Sequence, residues 1–231
     1  LLSRQDGVVP SEFGGFIERR KEGEPVAYIT GKRAFWNIEL EVGPGALVPR
    51  PDSETLIAAA IEHFAGTPGP KRILDLGTGP GTLLLAALDQ WPKATGIGVD
   101  SSDEALAYAK RNAKRLGLSE RAFFKRGDWA KGISEQFDLV LINPPYVAEG
   151  EQLGPGVAEF EPAEALFAGE HGLAEYRRLA PEIGRLLTPG GLAAVEIGHE
   201  QDDAVEALLR DEGLEPRLAR DLAGRPRAML I

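Results

Sequence analysis

"RILDLGTGPG", residues 72–81, decides the fold. A short apolar run around one carboxylate meets glycines at 77, 79 and 81, then passes into "TLLLAALDQW", an apolar helix that Pro92 closes. A strand, a glycine turn and a helix in direct succession form the opening unit of a strand-helix repeat around a mainly parallel sheet.

The repeat continues downstream. "TGIGVD" (95–100) predicts the next strand, and Ser101 and Ser102 cap the helix "DEALAYAKRNAKRLG", whose Ala105, Leu106, Ala109 and Ala113 form an apolar stripe ending at Gly117. "AFFKRGD" (122–128) and "FDLVLIN" (137–143) predict two more strands. Residues 148–172 are rich in Gly, Pro and Glu, too long for a simple connector, and are expected to form a lid. Next come the helix "LAEYRRLAPEIGRLL", a turn at "TPGG", and a strand "LAAVEIG" (192–198). The tail predicts a helix and then an antiparallel hairpin around "AGRP" at the sheet edge. The expectation is an α/β fold with a seven-stranded, mainly parallel, Rossmann-like sheet whose last pair of strands is reversed.

Upstream the pattern differs. "SEFGGFIERRKEGEP" predicts a short helix stopped by Gly23 and Pro25, and "AYITGKRAFWNIELEV" predicts a β-hairpin. "VPRPDSETLIAAAIEHF" begins a helix, with Pro51 and Asp52 at its entry, where the helix dipole favours acidic side chains.

Composition narrows the function classes. With 231 residues, 43% of them hydrophobic, the chain can bury one substantial core. No apolar run reaches the roughly 18 residues a membrane helix needs, and no leader is legible, so a cytoplasmic protein away from membranes is expected. There is no cysteine, which removes disulfides and thiol catalysis, and His63, His171 and His199 have no metal-ligand spacing, so no metal is expected. A net charge of -10 opposes a broad electrostatic grip on nucleic acid. The basic set Lys110, Arg111, Lys114 and Arg115 reads as a solvated helix face. The sole methionine is Met229, so the sequence is expected to be a piece of a longer one.

Four sites fall on one edge of the sheet. "DLGTGPG", Asp75 to Gly81, has Thr82 where the dinucleotide fingerprint wants Gly or Ala. Its spacing is that of a loop that cradles the amino-acid end of S-adenosylmethionine; a tight turn with no ligand is the competing reading. Asp100 ends the second strand and is placed to accept from both hydroxyls of a ribose, or else to cap the next helix. "GDW", Gly127 to Trp129, offers a carboxylate at Asp128 and a flat indole to an adenine, although a core tryptophan fits the same pattern.

"NPPY", Asn143 to Tyr146, is the fourth. Methylating a planar nitrogen is difficult because its lone pair is conjugated, strongly enough in an amide to impose a rotation barrier of about 18–20 kcal/mol. Two fixed acceptors, the Asn143 side-chain oxygen and the Pro144 carbonyl, can hold both N–H groups and free the lone pair. Pro144 and Pro145 keep those acceptors aimed, and Tyr146 can stack on the acceptor group. A neutral acceptor also suits a transition state in which charge on sulfur disperses.

With these residues in place the chain resembles the HemK/PrmC family of class I S-adenosylmethionine-dependent methyltransferases, which modify peptide chain release factors at glutamine. Besides the four sites, the likeness includes "GEPVAYITGKRAFW", "LVPRPDSETLI", "FEPAEALFAG" and "DLAGRPRAML". The resemblance implies cofactor contacts from Asp75, Gly77, Thr78, Gly79, Pro80, Gly81, Asp100, Asp128, Trp129 and Asn143, with S-adenosyl-L-homocysteine as product. It implies that Asn143, Pro144, Pro145 and Tyr146 hold the glutamine of a Gly-Gly-Gln motif. Phe35, Arg50 and Glu54 are added on the substrate side, because the hairpin and the "PRPDSE" turn are expected to fold over the mouth.

The expected organisation is a remnant of an N-terminal helical recognition domain (1–26), a β-hairpin connector (27–50) and a transferase domain (51–231), acting as a monomer. Pro80 stands where the family more often has Thr, and most of the family's N-terminal helical domain is absent. A ribosomal-protein glutamine methyltransferase, a nucleic-acid amino-methyltransferase and a cofactor-binding module without turnover remain as alternatives.

Overall fold

The computed structural model describes residues 13–231. The first ten residues and the start of the first expected helix, Ser11 and Glu12, lie outside the described residues. The chain enters through α1 (Phe13–Lys21) and the single turn α2 (Val26–Thr30), followed by the hairpin β1 (Lys32–Phe35) and β2 (Ile38–Glu41). "AYIT", expected in the hairpin, is therefore helical; Tyr28 is buried there and donates its hydroxyl to the Ala46 carbonyl at 2.6 Å. A short 3-10 turn, Pro51–Ser53, leads into α3 (Glu54–His63).

The strand-helix repeat follows as β3 (Arg72–Leu76), α4 (Thr82–Gln90), β4 (Thr95–Asp100), α5 (Asp103–Arg115), β5 (Ala122–Arg126) and β6 (Phe137–Ile142). Ser102 caps α5 as expected, its hydroxyl accepting from the Ala105 N–H at 3.1 Å. After the one-turn α6 (Val157–Phe160) come α7 (Ala174–Leu186), β7 (Leu187–Glu196), α8 (Asp202–Asp211), β8 (Arg217–Arg220) and β9 (Pro226–Leu230).

The seven strands lie in the order β5-β4-β3-β6-β7-β9-β8. The C-terminal hairpin sits at the edge as expected, but only β9 opposes the parallel set: it is antiparallel to both β7 and β8, so β8 runs with the others. "TPGG" is not a turn before a strand. It is a bulge inside β7, where the register with β6 jumps from Phe137↔Leu187 to Leu139↔Leu192.

Alternate residues of the central strands feed two cores. Ile73, Leu139 and Leu141 face α3, α4 and the N-terminal hairpin, whereas Leu74, Leu76, Val140 and Ile142 face α7 and α8. Burial on both faces explains why these strands read as apolar runs, and burying each such side chain fully contributes about 1.5–3 kcal/mol. The hairpin shares the first core through Phe35, Ile38 and Leu40, so it is packed into the body. The strands' carboxyl ends emerge together on one side, where an open parallel sheet leaves a crevice.

Candidate functional site

A cleft of about 230 Å³ opens over the carboxyl ends of β3, β4 and β6. The glycine turn forms its floor. The N–H groups of Gly77 and Thr78 donate to the Val99 carbonyl at 2.9 and 3.0 Å, lashing the turn to β4. Gly79 has φ 55 and Gly81 has φ 85, torsions that cost a residue with a Cβ about 1–2 kcal/mol. At Gly79 an added Cβ would meet nothing within 4 Å, whereas at Gly81 it would stand 2.8 Å from Leu85 Cδ1.

Asp75 lies beneath the turn, 1% exposed. Its Oδ2 accepts from Thr78 Oγ1 at 2.6 Å and from the Leu84 N–H at 3.1 Å, while Oδ1 has no hydrogen-bond partner among the described residues. Burial pushes its carboxyl up to about 7, against the pull of the Thr78 and Leu84 donors. Asp100, at the end of β4, accepts from the N–H groups of Gly79 at 2.8 Å and Ser102 at 2.9 Å. Burial raises its pKa and these backbone donors oppose the shift.

Trp129 adopts a left-handed backbone, φ 49, which a residue other than glycine holds only at a cost. Its ring lies on Gly77, where a Cβ would come within 3.1 Å of it, and its Nε1 donates to Glu175 at 2.5 Å. Asp128 stands at the rim in an ion pair with Arg178, also 2.5 Å. Asn143 faces the cleft from the end of β6; its Nδ2 donates to Ser53 Oγ at 3.2 Å. Pro145 and Arg50 line the same cleft.

Of the expected substrate-side residues, Phe35 and Glu54 do not reach it. Phe35 is 1% exposed and belongs to the first core, a correction to its expected place at the mouth: an aromatic on the inward side of a packed hairpin is core. Glu54 does not line the cleft either; it accepts the Trp36 N–H at 2.8 Å and so fixes the hairpin turn. Pro144 is buried, and Tyr146 directs its hydroxyl to Glu196 at 3.3 Å.

Residues 148–172 supply Pro162, Glu164, Ala165 and Phe167 to the cleft wall. The segment is fastened by the Val147 and Phe167 bridge and by Glu161, 4% exposed, which accepts from the Val48 N–H at 2.9 Å and from Arg50 at 2.6 Å. Sequence reasoning missed Glu161 and Ser53. It also missed Asn112, fully buried on α5, whose side chain bonds the Glu41 N–H at 2.7 Å, the Glu41 carbonyl at 3.0 Å and the Pro80 carbonyl at 2.9 Å. Asn112 was detectable as a polar residue on the apolar stripe that Ala109 and Ala113 define.

A parallel sheet of this order with a glycine-turn cleft over its central strands defines a methyltransferase domain, the description of the family model that matches residues 69–214. Two solved structures share the fold. A methyltransferase from Pyrococcus furiosus has a TM-score of 0.63 at 18% identity, covering 94% of this chain and 98% of that one. An RNA methyltransferase from Salinibacter ruber, in complex with S-adenosyl-L-homocysteine, has a TM-score of 0.50 at 19% identity over 80% and 91%.

Sequence relatives narrow the class. Release factor glutamine methyltransferases from Caulobacter vibrioides and Rhodospirillum rubrum are 47% and 44% identical, over 93% and 100% of this chain and 75% and 72% of the relatives. That of Aliivibrio fischeri is 37% identical over 100% of this chain and 83% of the relative. The chain belongs to the release factor glutamine methyltransferase family.

Proposed function

We propose that the cleft binds S-adenosyl-L-methionine and that the protein methylates the side-chain amide nitrogen of the glutamine in the Gly-Gly-Gln motif of peptide chain release factors. Membership of a family whose relatives carry that activity in their names supports the reaction. The observation that carries it at the atomic level is the Asn143 amide: Ser53 takes its nitrogen, and Oδ1 is the end left for the cleft.

The residues fit the cofactor. The open space beside Gly79 and the free Oδ1 of Asp75 suit its amino-acid end. Asp100 suits the ribose hydroxyls, and Asp128 with the Trp129 ring suits the adenine. When bound, S-adenosylmethionine supplies a methyl group on a positively charged sulfur. Asn143 Oδ1 and the Pro144 carbonyl accept the two N–H groups of the glutamine amide, which fixes the plane of that amide and leaves its lone pair facing the donor. Pre-set acceptors avoid ordering costs on binding; such alignment draws on the roughly 7–11 kcal/mol that orientation can supply. The two acceptors, Asn143 Oδ1 and the Pro144 carbonyl, are neutral, so they do not hold the positive charge in the ground state as a carboxylate would.

In this reading residues 51–231 perform the transfer, 27–50 join it to the recognition side, and 1–26 contribute to recognition. The protein acts as a cytoplasmic monomer; no helix among the described residues is long and apolar enough to cross a membrane. The test uses labelled S-adenosylmethionine with a release factor, its Gln→Ala variant, a ribosomal protein and DNA. Label on the release factor alone, lost in the variant, is expected. Label that persists in the variant, or appears on DNA, overturns the reading.

A further inference from the structure

Helix α7 is seated by its inner face. Tyr176, Leu179, Ala180 and Ile183 are buried in the second core, and the Tyr176 hydroxyl donates to the Glu196 carbonyl at 3.0 Å. Glu175 and Arg178, three residues apart, therefore emerge side by side, and both line the cleft. There they hold the two residues that follow Gly127. Glu175 Oε2 accepts the Trp129 indole N–H at 2.5 Å and an Arg178 N–H at 2.8 Å, while Arg178 Nη2 donates to Asp128 Oδ1 at 2.5 Å. Asp128, Arg178, Glu175 and Trp129 thus form a ring of side chains closed through the Asp128–Trp129 peptide.

Each bond in that ring removes a freedom that matters for a purine. Trp129 holds φ 49, a left-handed backbone that a residue other than glycine keeps only when its surroundings over-determine it. Glu175 adds to that constraint, pinning the edge of an indole that already lies on Gly77. The Asp128 side chain is half exposed, and without a partner it would turn between rotamers. With Oδ1 tied to Arg178, Oδ2 remains as an acceptor of fixed direction at the cleft. Adenine carries an amine, a donor, at its 6-position, whereas a 6-oxo purine carries an acceptor there. A fixed carboxylate distinguishes the two; a swivelling one turns away from the wrong partner.

We propose that Glu175 and Arg178 are positioning residues for the nucleoside of the methyl donor: Glu175 sets the plane of the Trp129 ring, and Arg178 aims Asp128 at the 6-amino group. This rests on the reading that Asp128 and Trp129 take the adenine of S-adenosylmethionine. The bonds divide the labour. Loss of Glu175 frees the stacking surface and weakens purine nucleosides alike, whereas loss of Arg178 frees the carboxylate and weakens the choice between them.

Calorimetry with S-adenosylhomocysteine and with S-inosylhomocysteine, which has a 6-oxo group in place of the amine, reads both effects. The wild-type protein is expected to prefer the adenosyl compound roughly 100-fold, the scale of a hydrogen bond made in one complex and unmade in the other. Arg178→Ala is expected to bring that preference below about 10-fold, and Arg178→Lys, which returns a charged donor without the fork, to recover part of it. Glu175→Ala is expected to weaken both ligands about 10-fold and to leave the preference within about 3-fold of wild type; Glu175→Gln keeps an acceptor for the indole and returns affinity to within about 3-fold. The Arg178 pairs are half exposed, so its variants are expected to melt within about 4 °C of wild type, which scanning fluorimetry checks. A preference that stays within about 3-fold of wild type in Arg178→Ala, or undiminished affinity in Glu175→Ala, overturns the proposal. A wild-type protein that binds the two compounds alike overturns the aiming of Asp128, and one that binds neither refutes the reading of the cleft itself.

Discussion

Replacing Gly79 and Gly81 by alanine, one at a time, separates ligand binding from folding within a single turn. Both glycines have positive φ, so each alanine pays the same backbone cost of about 1–2 kcal/mol. For a chain of this length about 1 kcal/mol moves the melting temperature by about 2–4 °C, so Gly79→Ala is expected to melt about 2–8 °C lower. At Gly81 the new methyl also overlaps Leu85, with Cδ1 at 2.8 Å. Overpacking of that kind adds about 1–3 kcal/mol, for a total drop of about 4–20 °C. Affinity is expected to run the other way. The methyl at Gly79 touches no protein atom within 4 Å and occupies space at the cleft floor, so S-adenosylmethionine binding is expected to weaken at least about 10-fold, or about 1.4 kcal/mol. Differential scanning fluorimetry and isothermal titration calorimetry measure the two effects. A Gly79→Ala protein that binds S-adenosylmethionine like wild type would refute the cradle; one that melts below Gly81→Ala would refute the packing argument.

Asn143→Ala is expected to abolish transfer to the glutamine with only a modest loss of cofactor affinity, whereas Asp100→Ala chiefly weakens cofactor binding; single-turnover rates and calorimetry separate the two. Removing Glu161 by Glu161→Ala leaves the Val48 N–H and the Arg50 guanidinium without their acceptor. Its expected cost is about 1–3 kcal/mol in urea unfolding, with faster hydrogen exchange over 148–172, and unchanged exchange would contradict the fastening role. Asp75 and Glu196 have ordinary values of 3.8 and 4.5 and are both raised to about 7, so the folded state binds more protons than the unfolded state between those limits. Stability is therefore expected to be highest below pH 4 as far as these two groups act, to fall as pH rises toward 7, and to level off above it; Asp75→Asn and Glu196→Gln each flatten that slope in urea titrations.

The sheet and four of its loops were legible because their signals are local. Glycines after "ILDL", an acid ending "GIGVD" and a proline pair after "LVLIN" each announce a strand end within a few residues, and parallel topology brings those ends together. The supporting groups were not legible. Ser53 meets Asn143 across 90 positions and Glu161 meets Val48 across 113, distances over which no periodicity or turn rule operates. "TPGG" and "AYIT" misled for a related reason: pairing with β6 draws the first into a strand, and burial of Tyr28 winds the second into a helical turn. Phe35 was misplaced because alternation in a hairpin identifies an inward side without saying that a second layer covers it.

Asn112 adds a polar joint between two parts of the molecule that are far apart in sequence. Its three hydrogen bonds tie β2, outside the main sheet, to the Pro80 carbonyl of the glycine turn. Such a joint makes the two sides thermodynamically reciprocal. If docking of a protein partner against the hairpin tightens the turn, and with it the hold on the methyl donor, the bound donor must strengthen that docking by the same factor.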